Sequence, residues 1–269
     1  MTSPKSRLDS SAITLHRDGR GPPLVLLHCL GVDHRFWDFA AALGGDFTLL
    51  RYDLPGHGAS AVPAAAFGIA DLSAQLADIL AANRIARAHV AGISLGGLIA
   101  QHLAATRPGL VDRLILIDTT PRYSDELRLM WDQRAATARA AGVAPMIDGL
   151  LAIWFSADAI ARNGPGVRYV RETLARSPGE GYALACEALK AADLRALAPK
   201  IAAPTLVVCG DAEIPSFLES ARWLAANIPH AELAWIAGAR HASVLEQPAE
   251  ARRLMRNFLR CSSRSACRS

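Results

Sequence analysis

Residues 90–97 read VAGISLGG and contain the pattern Gly-x-Ser-x-Gly centred on Ser94. An apolar run over residues 88–91 leads into the pattern, and an apolar helical pattern over residues 98–105 follows it. A strand, a sharp turn that carries a serine and then a helix form the context of a nucleophile elbow. The two glycines allow the backbone to turn where a side chain would clash. The stretch therefore predicts a nucleophilic Ser94 at a helix N-terminus, where free amides favour developing negative charge.

Short apolar runs alternate with helical patterns on both sides of this elbow, whereas helical segments dominate residues 119–200. Alternating strands and helices are typical of an α/β fold with a mostly parallel sheet and helices on both faces. We therefore predict a core formed by residues 1–118 and 201–260, with residues 119–200 as a helical cap over the C-terminal edge of the sheet. The predicted strands cover residues 24–27, 47–52, 88–91, 114–117, 205–209 and 233–236, and the predicted helices cover residues 69–85, 98–105, 216–227 and 249–259.

The composition narrows the class of protein. Half of the 269 residues are hydrophobic, but no apolar run reaches the ~18 residues of a membrane span. The polar N-terminus lacks the apolar core of a secretory signal, and the five scattered cysteines do not suggest a disulfide framework, so we expect a cytoplasmic protein. The formal charge is only +4, and we expect the basic segment 261–269 to be a disordered tail. We expect no membrane or nucleic-acid partner, no metal and no cofactor, and either a monomer or a small homo-oligomer.

A serine hydroxyl needs a base to become a nucleophile, and in this architecture the chain order is serine, acid, histidine. Of the eight histidines, only His230 and His241 lie beyond the late strands. His230 follows Ile228-Pro229 at a turn and is predicted to lie at the surface. His241 follows the last predicted strand, which places it at the same sheet edge as Ser94, so we predict His241 as the base.

The acid should follow the predicted strand at residues 205–209, where the loop reads GDAEIP over residues 210–215. Asp211 and Glu213 both lie in this loop, and Asp118 ends the neighbouring strand. Any of the three carboxylates could hold the imidazole in the required tautomer and stabilise the imidazolium. The residues alone leave this choice open.

Two backbone amides are needed to bind the oxyanion. The first is predicted to be that of Leu95, directly after the nucleophile. The second is predicted to come from Leu30, in the loop HCLG that follows the strand ending at residue 27. Cys29 belongs to the same loop and is predicted to line the site as a substrate-binding residue, with a buried spectator thiol favoured over a second nucleophile.

With these residues placed, the chain resembles the α/β-hydrolase superfamily, and it looks most like the 3-oxoadipate enol-lactonases of bacterial aromatic catabolism, which act in the β-ketoadipate pathway. The resemblance runs over residues 14–259. It is carried by HCLG at 28–31, LGVDHRFW at 30–37, RYD at 51–53, GHGAS at 56–60, the elbow, WDQR at 131–134, GY at 181–182 with Cys186, DLR at 193–195, His241 and EQP at 246–248.

The chain departs from the family pattern at two places. The family usually has a small residue where this chain has Cys29. Its acid loop reads Gly-x-x-Asp followed by Thr-Pro-Pro, whereas here Glu213 takes the aspartate position and the loop shortens to Ile214-Pro215. The resemblance therefore implies Glu213 as the acid, with Asp211 in that role if the alignment slips.

The resemblance implies a serine hydrolase that converts 3-oxoadipate enol-lactone to 3-oxoadipate through an acyl-enzyme. Its substrate would be a small carboxylated lactone or ester, so the pocket should offer a cation. Arg134 is the first candidate because guanidinium pairs bidentately with carboxylate, although it would equally suit a solvated helix face. Trp131 is predicted either to wall the pocket or to belong to the cap core.

Two alternative functions stay open. The first is a carboxylesterase or a carbon–carbon bond hydrolase of the same fold. The second belongs to another class, a ligand-binding protein on a disabled hydrolase scaffold. The altered acid loop at residues 210–215 is the only feature that favours the binding protein.

Overall fold

The structure is a computed structural model that describes residues 7–11 and 13–260, so the predicted disordered tail at 261–269 lies outside the described residues. The described residues form seven strands, β1 (His16–Gly19), β2 (Pro23–Leu27), β3 (Thr48–Arg51), β4 (Ala88–Ile93), β5 (Val111–Ile117), β6 (Thr205–Gly210) and β7 (Ala231–Ile236). They form one sheet in the order β1-β3-β2-β4-β5-β6-β7. The first strand pairs antiparallel with the third, and every other neighbouring pair is parallel.

The centre of the sheet is covered on both faces. Every residue of β4 and of β6 is buried, which is typical of parallel strands between two helical layers. Parallel registers bring the carboxyl ends of these strands together, since Ile93 pairs with Ile117 and Ile117 pairs with Val208. The loops that follow β4, β5 and β6 therefore begin at one edge of the sheet.

Helices from the core segments surround this sheet. Helix α1 packs against α2, α8 packs against β6 and β7, and α10 packs against the 3₁₀ segment His34–Gly45. The core helices are α1 (Ile69–Ala82), α2 (Leu95–Thr106), α8 (Pro215–Asn227), α9 (Ser243–Glu246) and α10 (Pro248–Arg260).

Five α-helices and two short 3₁₀ helices lie between β5 and β6 in the chain, and we call this insertion the cap. Helices α3 and α7 pack extensively against each other. Its two ends meet in a short antiparallel bridge between Arg122 and Asp193, where the Leu194 amide donates to the Pro121 carbonyl at 2.8 Å. The cap helices are α3 (Asp125–Ala141), α4 (Ile147–Trp154), α5 (Ala157–Arg162), α6 (Pro165–Arg176) and α7 (Gly179–Ala191).

The predicted fold class, a mostly parallel α/β sheet with helices, is confirmed. Strand β1 was not predicted because its sequence HRDG is polar and three of its four residues are exposed, so it carries no apolar alternation. The predicted helix at 69–85 ends earlier, at Ala82, and Asn83 closes it by donating to the Ile79 carbonyl. Among the described residues, no helix combines the length and the apolar character that crossing a bilayer requires.

Candidate active site

The turn between β4 and α2 holds Ser94 in an unusual backbone conformation. Its φ is +51° and its ψ is −112°, a region that non-glycine residues rarely occupy and that costs about 1–3 kcal/mol. Hydrogen bonds on both sides hold this geometry, from the Ser94 amide to the Ile117 carbonyl at 3.0 Å and from the Thr119 hydroxyl to the Ser94 carbonyl at 2.8 Å. A side chain at Gly92 or at Gly96 would overlap neighbouring backbone. The turn thus has the geometry of a nucleophile elbow.

Glu213 and His241 form a buried pair at the same sheet edge. The His241 Nδ1 atom lies 2.5 Å from Glu213 Oε1, and the two residues are 7% and 5% exposed. Glu213 Oε2 also accepts from the Ile214 amide at 2.8 Å, which fixes the carboxylate. Because Nδ1 faces Glu213, the other ring nitrogen, Nε2, is left for the substrate side. Ser94, Glu213 and His241 line one cavity, so the residue types and their order in the chain suit a hydrolytic triad.

The electrostatic surroundings favour a basic imidazole at His241. Burial lowers its pKa, but the charge of Glu213, the hydrogen bond to Glu213 and the charge of Asp118 raise it, and the net pKa lies above the ordinary 6.5. The ring also packs edge-on against Phe217, with centroids 4.9 Å apart. These contacts hold the ring orientation and would stabilise an imidazolium if His241 accepted a proton.

The other two candidate acids have different partners. Asp211 Oδ1 accepts from the Gly238 amide at 2.7 Å, and its side chain is exposed. Asp118 is fully buried, and it accepts from the Ser243 hydroxyl at 2.5 Å and from the Gly210 amide at 2.9 Å. The structure therefore pairs His241 with Glu213, whereas Asp211 bonds a turn and Asp118 bonds the neighbouring loops. Glu213 stays the predicted acid, with Asp211 and Asp118 as the alternatives. Burial and the charge of Glu213 raise the pKa of Asp118 to about 7.

The two predicted oxyanion donors lie at the expected positions in the fold. Leu95 is the first residue of α2, and Leu30 lines the cavity in the loop after β2. Within the described part of the chain, neither amide is bonded to another protein group. His28 braces the Leu30 loop, because its Nδ1 contacts the Cys29 carbonyl at 2.8 Å and its Nε2 accepts from the Leu54 amide at 2.9 Å. Burial lowers the pKa of His28, which keeps the imidazole neutral in this role.

The cavity has a volume of about 190 Å³ and lies between the sheet edge and the cap. Arg134 and Trp131 both line it, with the guanidinium carbon 5.0 Å from the centre of the indole ring. Among the described residues, no carboxylate lies within 4.0 Å of Arg134, so its charge is not neutralised by the protein. Cys29 is not among the residues that line this cavity, and it is 1% exposed, so the structure places its thiol in the core beside the Leu30 loop. The rest of the wall is mostly apolar, with Leu127, Met130, Ile153, Trp154, Ile214 and Phe217.

Sequence reasoning missed two tyrosines in this wall, Tyr123 and Tyr182. Tyr182 lies in the family-like segment GY, but nothing local marked Tyr123. A usable signal was present in α3, where the cavity-lining residues recur at i, i+3, i+4 and i+7 and so share one helix face. These residues are Leu127, Met130, Trp131 and Arg134.

Asp33, His34 and Asp53 form a second polar cluster, with potential ligand atoms within 4.8 Å of one another. Each carboxylate already has protein partners. Asp33 receives the Arg35 guanidinium at 2.5 Å, and Asp53 receives the His34 ring at 2.8 Å and the Ala59 amide at 2.8 Å. The cluster is thus accounted for as a brace between the loops after β2 and β3.

The chain is similar to hydrolases over most of its length. The model of the alpha/beta hydrolase family matches residues 24–254. The chain is 31% identical to 3-oxoadipate enol-lactonase 2 of Acinetobacter baylyi over 228 residues, which cover 84% of each chain. It is 37% identical to the pimeloyl-[acyl-carrier protein] methyl ester esterase of Chromobacterium violaceum, covering 84% of this chain and 90% of that one. Its fold matches the enol-lactonase from Burkholderia xenovorans LB400 with a TM-score of 0.87 and 34% identity, covering 92% and 96% of the two chains.

The chain belongs to the α/β hydrolase family and is a hydrolase. The resemblance to 3-oxoadipate enol-lactonases that the motifs indicate is confirmed by relatives at this level of identity. The altered acid loop, which alone favoured a disabled scaffold, keeps a carboxylate in hydrogen-bonding contact with His241.

Proposed function

We propose that the protein is a serine hydrolase that opens an enol-lactone carrying a free carboxylate, with conversion of 3-oxoadipate enol-lactone to 3-oxoadipate as the leading candidate reaction. One observation carries the choice of substrate class. The Arg134 guanidinium lines the same cavity as Ser94 and His241 and has no carboxylate partner among the described residues. A buried or half-buried cation without a counter-ion is costly, and a carboxylated ligand would supply that counter-ion.

The reaction follows from the proposed roles of the three residues. His241 takes the proton of Ser94, whose oxygen attacks the lactone carbonyl, and Glu213 stabilises the resulting imidazolium. The amides of Leu95 and Leu30 bind the oxyanion, and one such donor is worth about 10²–10³ in rate. The ring carbon–oxygen bond then breaks and leaves an acyl-enzyme on Ser94.

The leaving group distinguishes an enol-lactone from an ordinary ester. The departing oxygen is an enolate, which is a better leaving group than an alkoxide, but it stays tethered to the acyl chain. Conversion of the enol to the ketone removes this oxygen as a competitor for the acyl-enzyme. A water molecule, activated by His241, then releases the free acid and restores Ser94.

A carboxylesterase acting on a small acyl ester is the second candidate. The mostly apolar cavity wall and the 37% identical methyl ester esterase favour it. A carbon–carbon bond hydrolase would use the same groups, but no feature of the cavity favours it over an esterase.

The test compares kcat/KM for 3-oxoadipate enol-lactone, a saturated carboxylated lactone, a methyl ester with a free carboxylate and neutral p-nitrophenyl esters. We expect the highest kcat/KM for the enol-lactone. A higher value for neutral esters would overturn the proposed substrate in favour of the esterase. Ser94→Ala is the control for the chemistry and should reduce kcat by about 10⁶ on every substrate. Full activity of that variant would contradict the whole serine mechanism.

A further inference from the structure

Tyr123 is a buried polar residue in the cavity that the mechanism above does not use. It is 2% exposed and lines the same cavity as Ser94 and His241. Its hydroxyl makes no hydrogen bond of ordinary geometry to any described residue. A buried hydroxyl without a partner destabilises the free protein, so its presence in a substrate cavity suggests that the substrate provides the partner.

The contacts of its ring place Tyr123 on the histidine side of the cavity. The ring packs edge-on against Phe217 at 6.2 Å, and Phe217 in turn packs against His241 at 4.9 Å. On its other side the Tyr123 ring packs against Trp131 at 5.2 Å. The Tyr123 hydroxyl lies beside the Ser94 side chain, and Phe217 lies between the rings of Tyr123 and His241. The leaving oxygen departs from the carbon that Ser94 attacks, so the hydroxyl lies in the region where this oxygen is released, whereas the proposed oxyanion amides belong to Leu30 and Leu95.

The protonation state of the Tyr123 phenol suits a hydrogen-bond donor. Burial raises the pKa of Tyr123 above its usual range, an effect that the neighbouring Ser94 side chain and the charge of Arg134 only partly oppose. The phenol therefore stays protonated over the working range of a hydrolase. The cavity-lining side chains outside the candidate triad that carry N–H or O–H groups are Tyr123, Trp131, Arg134, Trp154 and Tyr182, and the groups of the tryptophans and of Arg134 can only donate. A ligand that fits this set is rich in acceptor oxygens.

We infer that Tyr123 is a further catalytic residue, which donates a hydrogen bond to the leaving oxygen as the ester or lactone bond breaks. This inference rests on the proposed acyl-enzyme mechanism. In that step the bond from Ser94 Oγ to the carbonyl carbon forms, and the bond from that carbon to the leaving oxygen breaks. The electron pair of the broken bond goes to the leaving oxygen, and the proton taken by His241 is returned to it. Tyr123 keeps its own proton throughout and stabilises the charge that develops on the oxygen.

A donor of this kind has a kinetic signature that a packing role lacks. The negative charge on the leaving oxygen must be stabilised most when the leaving group is a strong base, such as an alkoxide. A p-nitrophenolate disperses its charge and needs little help. Loss of the Tyr123 hydroxyl should therefore make the rate depend more steeply on the pKa of the leaving alcohol.

The test uses esters of one acyl group with leaving alcohols from p-nitrophenol through phenol to ethanol. For Tyr123→Phe we expect kcat/KM to fall about 10–100-fold on the ethyl ester and at most about 3-fold on the p-nitrophenyl ester. Tyr52→Phe is the matched control, because Tyr52 is also a buried tyrosine without a hydroxyl partner but does not line the cavity. It should leave the dependence on the leaving group unchanged.

An equal loss across the series, or no loss at all, would assign Tyr123 to packing and overturn the inference. If Tyr123→Phe folds poorly, 3-fluorotyrosine at position 123 provides the second variant. Its more acidic phenol should flatten the dependence on the leaving group, and an unchanged slope would again overturn the inference. The enol-lactone assay with the unaltered enzyme tests the substrate separately. If the unaltered enzyme does not hydrolyse the enol-lactone but Tyr123→Phe still makes the dependence on the leaving group steeper, the proposed substrate is wrong. The role of Tyr123 is then still supported.

Discussion

The cavity has two sides that differ in how their polar groups are satisfied. The floor, formed by Ser94, Glu213 and His241, lies at the sheet edge, where protein hydrogen bonds hold the Ser94 backbone and join Glu213 to His241. The roof, formed by the cap residues Tyr123 and Arg134, holds a hydroxyl and a charge that the protein pairs less completely. The Tyr123 hydroxyl is buried and unbonded among the described residues, and no carboxylate of that part of the chain contacts Arg134. We propose that the floor supplies the nucleophile, the base and the acid, and that the roof contacts the substrate, through Arg134 at its carboxylate and through Tyr123 at the leaving oxygen.

Substitution of Glu213 in the floor should cause the largest loss of kcat among the substitutions proposed in this Discussion. Glu213→Gln removes the charge that stabilises the imidazolium and allows the wrong tautomer, so kcat should fall by about 10³–10⁴, as in other triads whose acid becomes an amide. The measurement is kcat on the best substrate, with circular dichroism to show that the fold persists. Asp211→Asn is the matched control in the same loop and should leave kcat unchanged. The reverse result, with Asp211→Asn inactive, would show that the acid is misassigned.

Substitution of Arg134 in the roof should weaken the binding of carboxylated substrates and leave the chemistry of the floor unchanged. Arg134→Ala removes a charge-assisted contact, so KM for carboxylated substrates should rise about 10–100-fold, while kcat on neutral esters stays the same. Arg134→Lys keeps the charge but loses the bidentate geometry and should cause a smaller rise. Arg128→Ala on the same helix, which removes a cation paired with Asp125 outside the cavity, is the control. An equal loss on neutral esters would contradict the carboxylate contact.

The floor was more predictable from sequence than the roof, for a physical reason. The elbow is local, since glycine spacing and the flanking strand and helix patterns are visible within about 20 residues of Ser94. The choice between Asp211 and Glu213 was not local. The two residues are separated by one position in a loop, and the direction of each side chain depends on Gly238 and His241, which follow the next strand. The roof depends on how α3 packs over the sheet. The only sequence signal for this packing is the helical spacing of the α3 residues between Leu127 and Arg134 that line the cavity.

The pH dependence of kcat/KM tests whether the charge of Asp118 acts on His241. His241 must be neutral to accept the proton, and its pKa lies above 6.5, so kcat/KM should rise with pH through a midpoint above 6.5. Asp118 contributes to this raised pKa, so Asp118→Asn should move the midpoint to lower pH. Asn tolerates the positive φ of +41° at this position.

The control for this shift lies on β5, the strand that Asp118 follows. Asp112→Asn changes a half-exposed carboxylate near the start of β5, where it pairs with Arg87, and should leave the midpoint in place. A midpoint that stays constant or moves to higher pH in Asp118→Asn would show that Asp118 does not act on His241.

The smallest effect is expected at Cys29, which lies next to a proposed oxyanion residue but outside the cavity. Cys29→Ala should leave KM and kcat unchanged on carboxylated and neutral substrates alike, because the thiol touches neither side of the cavity. Burial raises the pKa of this thiol, so it should also resist alkylation by iodoacetamide while the protein is folded. The cost should be limited to about 1 kcal/mol of unfolding free energy, from the loss of buried sulfur contacts, and thermal denaturation measures it. A raised KM would instead mean that the loop carrying Leu30 moves when its core contacts are lost. The position of the proposed oxyanion donor would then depend on how Cys29 packs in the core.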